Sequence, residues 1–421
     1  MVAAGARRRT PLSGAVETVR ILRLAAGGDG VGNLADGRTV FVPRTAPGDL
    51  ATLVDVRRAK RFARARLSHL PEASPSRVDP PCPHYTRDEC GGCQLQHLGY
   101  PTQLEARGSF VGDALRKLAG LSVPDPSVEP ADTVLGYRTK LTLSARGRHI
   151  GLHKYGRPGE VFDLEWCHIT AAPLNQLWQA VRRRRTLLPA GLDRVVLRLD
   201  RAGGRHLLAR VVGSRVWAGA KDLAGALVND GTPASLWWQP ENGAARVVAG
   251  DRHGAGHVDV FEQVNPAMAH RARLFAVDRM GAMDAATVWD LYAGVGDTTV
   301  LLSERGGQVH SVEREQRAVD HAKMTGPPAH RHAGLAELAI ETLPDPELVI
   351  ANPPRVGMDP RVPAVLIDRA PRRIVYISCD AATLARDITR LAPAYRLVET
   401  RCFDLFPQTA HIETVAILER A

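Results

Sequence analysis

The stretch from Thr287 to Glu313 limits the possible folds more than any other part of this 421-residue chain. The apolar run Val288-Trp289-Asp290-Leu291-Tyr292 leads into Ala293-Gly294-Val295-Gly296-Asp297. A helical Thr299 to Arg305 follows, then a second strand, Gln308 to Val312, ending in Glu313. Glycines placed after a first strand let backbone approach a ligand at a helix N-terminus, and an acid closing the second strand can accept both hydroxyls of a ribose. A dinucleotide site would want a third glycine at 299, where threonine stands. The shorter turn suits S-adenosylmethionine, which has no pyrophosphate to cradle. From about residue 257 onward strands alternate with helices, the habit of a doubly wound parallel sheet.

Two more strands of this region run into polar ends. Glu347 to Ala351 leads into Asn352-Pro353-Pro354-Arg355, which places an amide at the carboxyl edge of the sheet, where open α/β folds bind ligands, with prolines stiffening the loop beyond. Ile374-Val375-Tyr376-Ile377 runs into Ser378-Cys379-Asp380, so the cysteine lies just past the apolar run, on the same edge. The last strand, His411 to Ile417, alternates, and Glu413 begins its apolar segment. A cysteine and a carboxylate suit one reaction in particular. Pyrimidine C5 is too poor a nucleophile to take a methyl group directly, but a thiolate adding at C6 turns the ring into an enolate that attacks from C5. A base must then remove the C5 proton so that the thiolate can leave.

Upstream of 257 the texture differs. Hydrophobic content of 44% and charged content of 24% exclude a wholly disordered or fibrous chain. No run approaches the roughly 18 apolar residues of a membrane span, and Met1 to Arg9 ends in three arginines with no apolar stretch behind it, so a soluble, unexported, cytoplasmic protein without membrane contact is expected. The formal charge is +10, and residues 1 to 80 hold fourteen Lys or Arg against seven Asp or Glu, a surplus that favours a polyanionic partner. Residues 14–70 alternate short apolar runs with turn signals such as Gly27-Gly28-Asp29-Gly30 and Pro47-Gly48-Asp49, the spacing of a small oligonucleotide-binding β-barrel. Within it Arg57, Arg58, Lys60, Arg61, Arg64 and Arg66 surround Phe62, a pattern able to grip phosphates and stack on a base.

Residues 71 to 81 read as a proline-rich linker, and a helical stretch from about Tyr100 to Leu121 offers Leu104, Phe110, Leu115 and Leu118 as one face. Residues 130 to 255 read as β-rich with a helix around Leu174 to Arg185, whose four terminal arginines suit either a helix C-terminus or RNA. Cys82, Cys90 and Cys93 lie within twelve residues and Cys167 stands apart; four thiolates suit tetrahedral zinc or a [4Fe-4S] cluster, and spacing does not choose between them. Cys402, alone beside Phe403, reads as core.

Together these elements resemble the RNA 5-methyluridine methyltransferases, the family that includes the tRNA and 23S rRNA uridine enzymes. The likeness covers nearly the whole chain. It is carried by Asp290 to Gly296, by Ser378-Cys379 with Thr383-Leu384-Ala385-Arg386-Asp387, and by Phe406-Pro407-Gln408-Thr409-Ala410-His411-Ile412-Glu413-Thr414-Val415. The resemblance implies Cys379 as nucleophile and Glu413 as proton acceptor. It assigns Gln263, in Phe261-Glu262-Gln263-Val264-Asn265, together with Tyr292, Gly294, Gly296, Asp297, Glu313 and Asn352, to the S-adenosylmethionine pocket. Cys90-Gly91-Gly92-Cys93-Gln94-Leu95-Gln96-His97 is similar to the cluster motif of the 23S rRNA branch, which implies a [4Fe-4S] cluster on Cys82, Cys90, Cys93 and Cys167.

The implied architecture is a multidomain α/β protein. It comprises a TRAM-like barrel at 14–70, a central cluster-bearing region at 71–255, and a Rossmann-like class I methyltransferase at 256–421. The helix at about 100–121 is expected to pack on the catalytic part. The partner implied is rRNA or tRNA, with no obligate protein partner. Tyr137 and Arg138, in Gly136-Tyr137-Arg138-Thr139-Lys140, resemble a segment near RNA, although plain strand pairing explains them equally well. Two positions depart from the family pattern. Asn352 stands where Asp is usual, though an amide can still accept from uracil N3–H and donate to O4, and Gly334 stands where an Asn is usual. Two other readings remain in view. Cytosine-C5 methylation would call for a second cysteine where Arg355 stands, and the other is a catalytically silent RNA-binding iron-sulfur protein.

Overall fold

The computed structural model describes residues 17–213, 216–250 and 262–421. The sequence boundaries at 14 and 256, the tail ending at Arg9, residues 251–255 and Phe261 lie outside the described residues. The chain forms two compact units: one holds the residues up to Pro80 together with Gln94–Ala106, the other Pro81–Cys93 with Arg107–Ala421. The fold is mixed α/β with three principal sheets. Among the described residues, no helix is long and apolar enough to cross a membrane.

The first unit is built on a curled six-stranded sheet, ordered Glu17–Arg20, Leu50–Arg58, Phe62–Glu72, Thr39–Val42, Gly30–Asn33, Arg23–Leu24. Period-2 alternation sends Val19, Val40, Val42, Leu53, Ala63 and Ala65 into one small core. Register shifts at Leu50/Thr52 and Val54/Arg57 mark bulges in the long hairpin, which bend and twist it so that the sheet curls. The expected linker at 71–81 is partly a strand, which runs on to Glu72. Its next residues are tethered, because buried Asp49 accepts from the Ser74 N–H (2.8 Å) and from Arg77 Nη1 (2.7 Å).

In the second unit, a seven-stranded sheet is ordered Arg157–Asp163, His149–Lys154, Lys140–Arg146, Leu192–Leu199, Arg205–Val211, Ser235–Gln239, Arg246–Ala249. Its one parallel pairing is made across the helix Ala220–Asn229. That helix and Ala172–Arg182 bury Leu174, Leu177, Trp178, Leu223 and Leu227 against one face. The arginines at the end of the second helix are largely spoken for within the fold: Arg183 and Arg184 pair with Asp230 at 2.8 and 2.6 Å, and Arg185 pairs with Asp163 at 3.2 Å.

The eight-stranded sheet positions the site. Its order is His330–Ala333, Gln308–Glu313, Thr287–Leu291, Leu348–Ala351, Arg373–Ser378, Glu413–Arg420, Tyr395–Phe403, Val128–Glu129. The first five are parallel, and Glu413–Arg420 runs antiparallel beside Arg373–Ser378. The order reverses on either side of Thr287–Leu291, which opens a crevice at the carboxyl ends of these strands. The antiparallel insertion brings the start of the last strand in the chain, Glu413, to the same edge as the end of Arg373–Ser378. Helix Tyr100–Leu118 presents Arg107, Phe110, Val111 and Leu115 among its buried residues from 107 on, and Val111 and Leu115 join the core of Trp289 and Leu291. Leu118, expected on that face, is 58% exposed, one turn too late to reach the sheet.

Candidate active site

The turn after Thr287–Leu291 requires left-handed backbone at Tyr292 (φ 64°), Gly294 (56°) and Gly296 (87°). Gly296 caps the helix Asp297–Glu304, and any Cβ there would stand 2.9 Å from Arg331 Nη1 and 3.3 Å from the Ala322 methyl. Thr299, where a dinucleotide site wants glycine, is fully buried and donates to Asp290 Oδ2 at 2.6 Å. Burial pushes the Asp290 carboxyl up to about 7, against the pull of the Thr299 bond and of Arg331 and Arg273. Glu313, at the end of the neighbouring strand, accepts from the N–H groups of Gly294 (2.9 Å) and Glu315 (2.8 Å), which locks the acid beside the glycine turn.

A cavity of about 1020 Å³ opens at this edge. Gln263, Tyr292, Gly294, Asp297, Glu313, Asn352, Cys379 and Glu413 all line it; Gly296 does not, and acts through the helix start instead. Asn352 donates its N–H to the Leu291 carbonyl at 3.1 Å, which holds the Asn-Pro-Pro loop against the glycine-turn strand. Asp297 is engaged by two cations, Arg201 and Arg273, each at 2.7 Å. Glu262, next to Gln263, pairs with Arg198 and, at 3.2 Å, with Arg201. Gly334 lines the cavity and donates its N–H to the Glu313 carbonyl at 2.9 Å.

Cys379 is half-buried, one residue beyond Arg373–Ser378. Asp380 caps the following helix through the Thr383 N–H (2.9 Å), so the cysteine sits at a rigid strand-to-helix corner. Burial pushes its thiol above the ordinary range and the Glu413 carboxylate adds to this, while Arg355, hydrogen-bonded to it, pulls the other way. Glu413 is 2% exposed, and burial raises it from 4.5 to about 7, opposed by Arg273 and Arg355. Its Oε2 has no hydrogen-bond partner among the described residues. The arrangement is a thiol and a carboxyl that share Arg355, with Arg273 acting on the carboxyl as well, at the edge of a ligand-sized crevice, a constellation able to support covalent attack followed by proton removal.

A model of the tRNA (uracil-5-)-methyltransferase family matches residues 335–421. A protein of Gloeobacter violaceus described as an RNA methyltransferase is 33% identical over 97% of this chain and 98% of its own length. The 23S rRNA (uracil(1939)-C(5))-methyltransferase RlmD of Halomonas elongata is 32% identical, covering 94% of this chain and 88% of that protein. The chain belongs to the RNA uracil-C5 methyltransferase family. The fold agrees: the Pyrococcus abyssi tRNA (uracil-54, C5)-methyltransferase, solved with S-adenosyl-L-homocysteine, superposes with a TM-score of 0.73 at 24% identity, over 95% of this chain and 99% of that one.

For this S-adenosylmethionine-dependent methyltransferase, sequence reading missed Arg273, Arg201 and Glu262 as site residues. It treated Arg355 only as a missing cysteine. None carries a local signal, since Arg273 is one of several basic residues on the helix Pro266–Asp278 and reaches the site only through tertiary packing. Arg138 does line the cavity, whereas Tyr137 turns away from it, donating its hydroxyl to the Pro407 carbonyl at 3.0 Å.

Cys82, Cys90, Cys93 and Cys167 are all buried in the core of the seven-stranded sheet. The donor chemistry fits a thiolate-held group, with four sulfurs in one apolar cluster and Cys90 Sγ accepting from the Gly92 N–H at 3.4 Å. Among the described residues, no group of three or more Cys, His, Asp or Glu that could hold a metal ion is found. The four cysteines share this core with Tyr85, Tyr137 and Phe162. Cys402 is core, as expected, with its thiol pushed up to about 12 by burial.

Proposed function

We propose that this enzyme methylates C5 of a uridine in RNA through a covalent bond to Cys379. The thiolate adds to C6 and the resulting enolate carbon, C5, takes the methyl group. Glu413 then accepts the C5 proton, the ring double bond re-forms, and the C6–S bond breaks. Bound S-adenosylmethionine supplies the electrophilic methyl group. The observation that carries the reading is the meeting of Cys379 and Glu413 in one crevice with the glycine turn, with Glu413 raised to about 7, so that it is a competent acceptor at neutral pH. Arg355 opposes the upward push on the thiol and favours its ionised form.

In this reading Glu313 accepts the ribose hydroxyls of the cofactor, the Gly294–Gly296 turn admits it closely, and Gln263, Tyr292 and Asp297 line its pocket. Asn352 reads uracil, its amide accepting from N3–H and donating to O4. The target base has to be unpaired or flipped out, since C6 cannot be reached within a stacked helix. The curled N-terminal sheet serves as a TRAM-like RNA platform, supported by the exposed residues Arg57, Lys60, Arg61 and Phe62 around its long hairpin. A [4Fe-4S] cluster, if present, would be held by Cys82, Cys90, Cys93 and Cys167, a reading supported by their number and type; it would order loops, since methyl transfer requires no electron.

The test is transfer of labelled methyl from S-adenosylmethionine to RNA. Loss of transfer in Cys379→Ala, with trapping of 5-fluorouridine RNA on the peptide that contains residue 379, supports the reading. A tag on any other peptide, or RNA binding without transfer by the wild type, refutes it. Site-mapped nucleoside mass spectrometry on RNA from cells lacking the gene then decides between rRNA and tRNA.

A further inference from the structure

Glu413 has no side-chain partner on Oε2 among the described residues, so where its carboxyl stands is decided by the backbone that delivers it. That backbone enters the strand through residues 404–412, and three separate parts of the chain hold this segment. Arg107, fully buried on helix Tyr100–Leu118, directs Nη2 to Asp404 Oδ2 (2.8 Å) and Nη1 to the carbonyls of Thr409 (3.1 Å) and Phe406 (3.4 Å). The Tyr137 hydroxyl donates to the Pro407 carbonyl at 3.0 Å, and Asn265 Nδ2 donates to the Leu405 carbonyl at 3.3 Å. Between these anchors Gln408 is left-handed (φ 71°), a conformation that a non-glycine residue keeps only when its surroundings over-determine it.

We propose that Arg107 and Tyr137 are positioning residues for the catalytic base: together they clamp segment 404–410 and thereby fix the place of the Glu413 carboxyl opposite Cys379. Neither touches the cavity, and both act through main-chain carbonyls. Arg107 suits the task because its planar fork serves a carboxylate and two carbonyls at once, whereas a lysine would present a single point charge. Tyr137 also packs in the cluster that holds the four cysteines, so the same ring touches that cluster and the base-bearing segment. The clamp rests on the reading of Glu413 as the base.

The experiment uses the full-length enzyme with Tyr137→Phe and Arg107→Lys, which preserve ring packing and charge, beside Glu413→Gln. Three readouts are followed: kcat and the S-adenosylmethionine KM, the covalent enzyme–RNA adduct on denaturing gels, and amide hydrogen exchange across 404–412. A displaced base leaves addition and methylation intact but delays proton removal. Both variants should therefore keep the wild-type KM, lose roughly 10- to 100-fold in kcat, the scale of a misplacement of about 1 Å, and accumulate adduct. Exchange across the segment should quicken by roughly tenfold, the equivalent of one hydrogen bond. Wild-type kcat and protection in both variants would overturn the proposal, as would a parallel fall in kcat, adduct and cofactor affinity. If Glu413→Gln forms no adduct, the reading of the base fails separately. The clamp then stands or falls on exchange alone, with wild-type protection refuting it.

Discussion

Replacing Glu413 by Gln should make the folded protein more stable and the enzyme inactive, and the size of the stabilisation follows from burial. The carboxyl is 2% exposed and raised from 4.5 to about 7, with desolvation as the leading cause. Because the folded value lies above the unfolded one, the protonated form is the one that folding favours. The stability this contributes is complete below about pH 4.5, falls as pH rises, and is gone above about pH 7. At 1.36 kcal/mol per pH unit, the full swing is about 3 kcal/mol. An amide of the same shape cannot ionise and does not incur that loss. Denaturant unfolding of wild type and Glu413→Gln between pH 4 and 9 should therefore show a difference that is small at the acid end, grows through pH 5 to 7 and levels off beyond. Turnover should fall by a factor of ~10² to 10⁴, the usual worth of a general base. A stability difference that stays flat with pH would refute the burial argument, and full turnover by the Gln variant would remove Glu413 from the chemistry.

Three other perturbations are informative. Arg355→Met removes the cation that opposes the rise of the Cys379 thiol, so adduct formation should slow at pH 7 and recover as pH is raised; a rate loss equal at all pH values would contradict this role. Thr299→Val leaves buried Asp290 without the hydroxyl that donates to it at 2.6 Å, and should destabilise the enzyme by about 1–3 kcal/mol in thermal or denaturant unfolding, whereas an unchanged midpoint would show the bond to be dispensable. Alanine at Arg57, Lys60 and Arg61 together should weaken RNA binding and flatten its dependence on salt by about 0.7 per lost phosphate contact, read from binding isotherms at several salt concentrations; an unaltered slope would mean the hairpin does not meet phosphate.

Much of the catalytic unit was legible because its signals are local. A glycine turn needing positive φ, an acid closing the next strand, and a cysteine one residue past an apolar run are each written within a few consecutive positions. The long basic hairpin was legible for the same reason. The four arginines at 182–185 were not: the partners of Arg183, Arg184 and Arg185, Asp230 and Asp163, lie in other segments, and without them the run looks like a surface for RNA as readily as a helix end. The cysteines show the opposite limit. Their number and type suit a thiolate-held group, but which sulfurs meet is a matter of packing, and it is the fold of the seven-stranded sheet that brings all four into one core.

Order along the chain therefore determined the Rossmann-like sheet, the glycine turn proposed to receive the cofactor, and the two side chains proposed to react, Cys379 and Glu413. Those features depend on backbone torsion and hydrophobic period, which neighbouring residues dictate. Tertiary structure alone decided the electrical setting of the candidate site: that burial raises the Glu413 carboxyl to about 7, that Arg273 and Arg355 act on it, and that Arg107 grips the segment leading to it from about 300 residues away. Burial and Coulomb interaction depend on distance in space, and distance in space is fixed only when the sheets have packed.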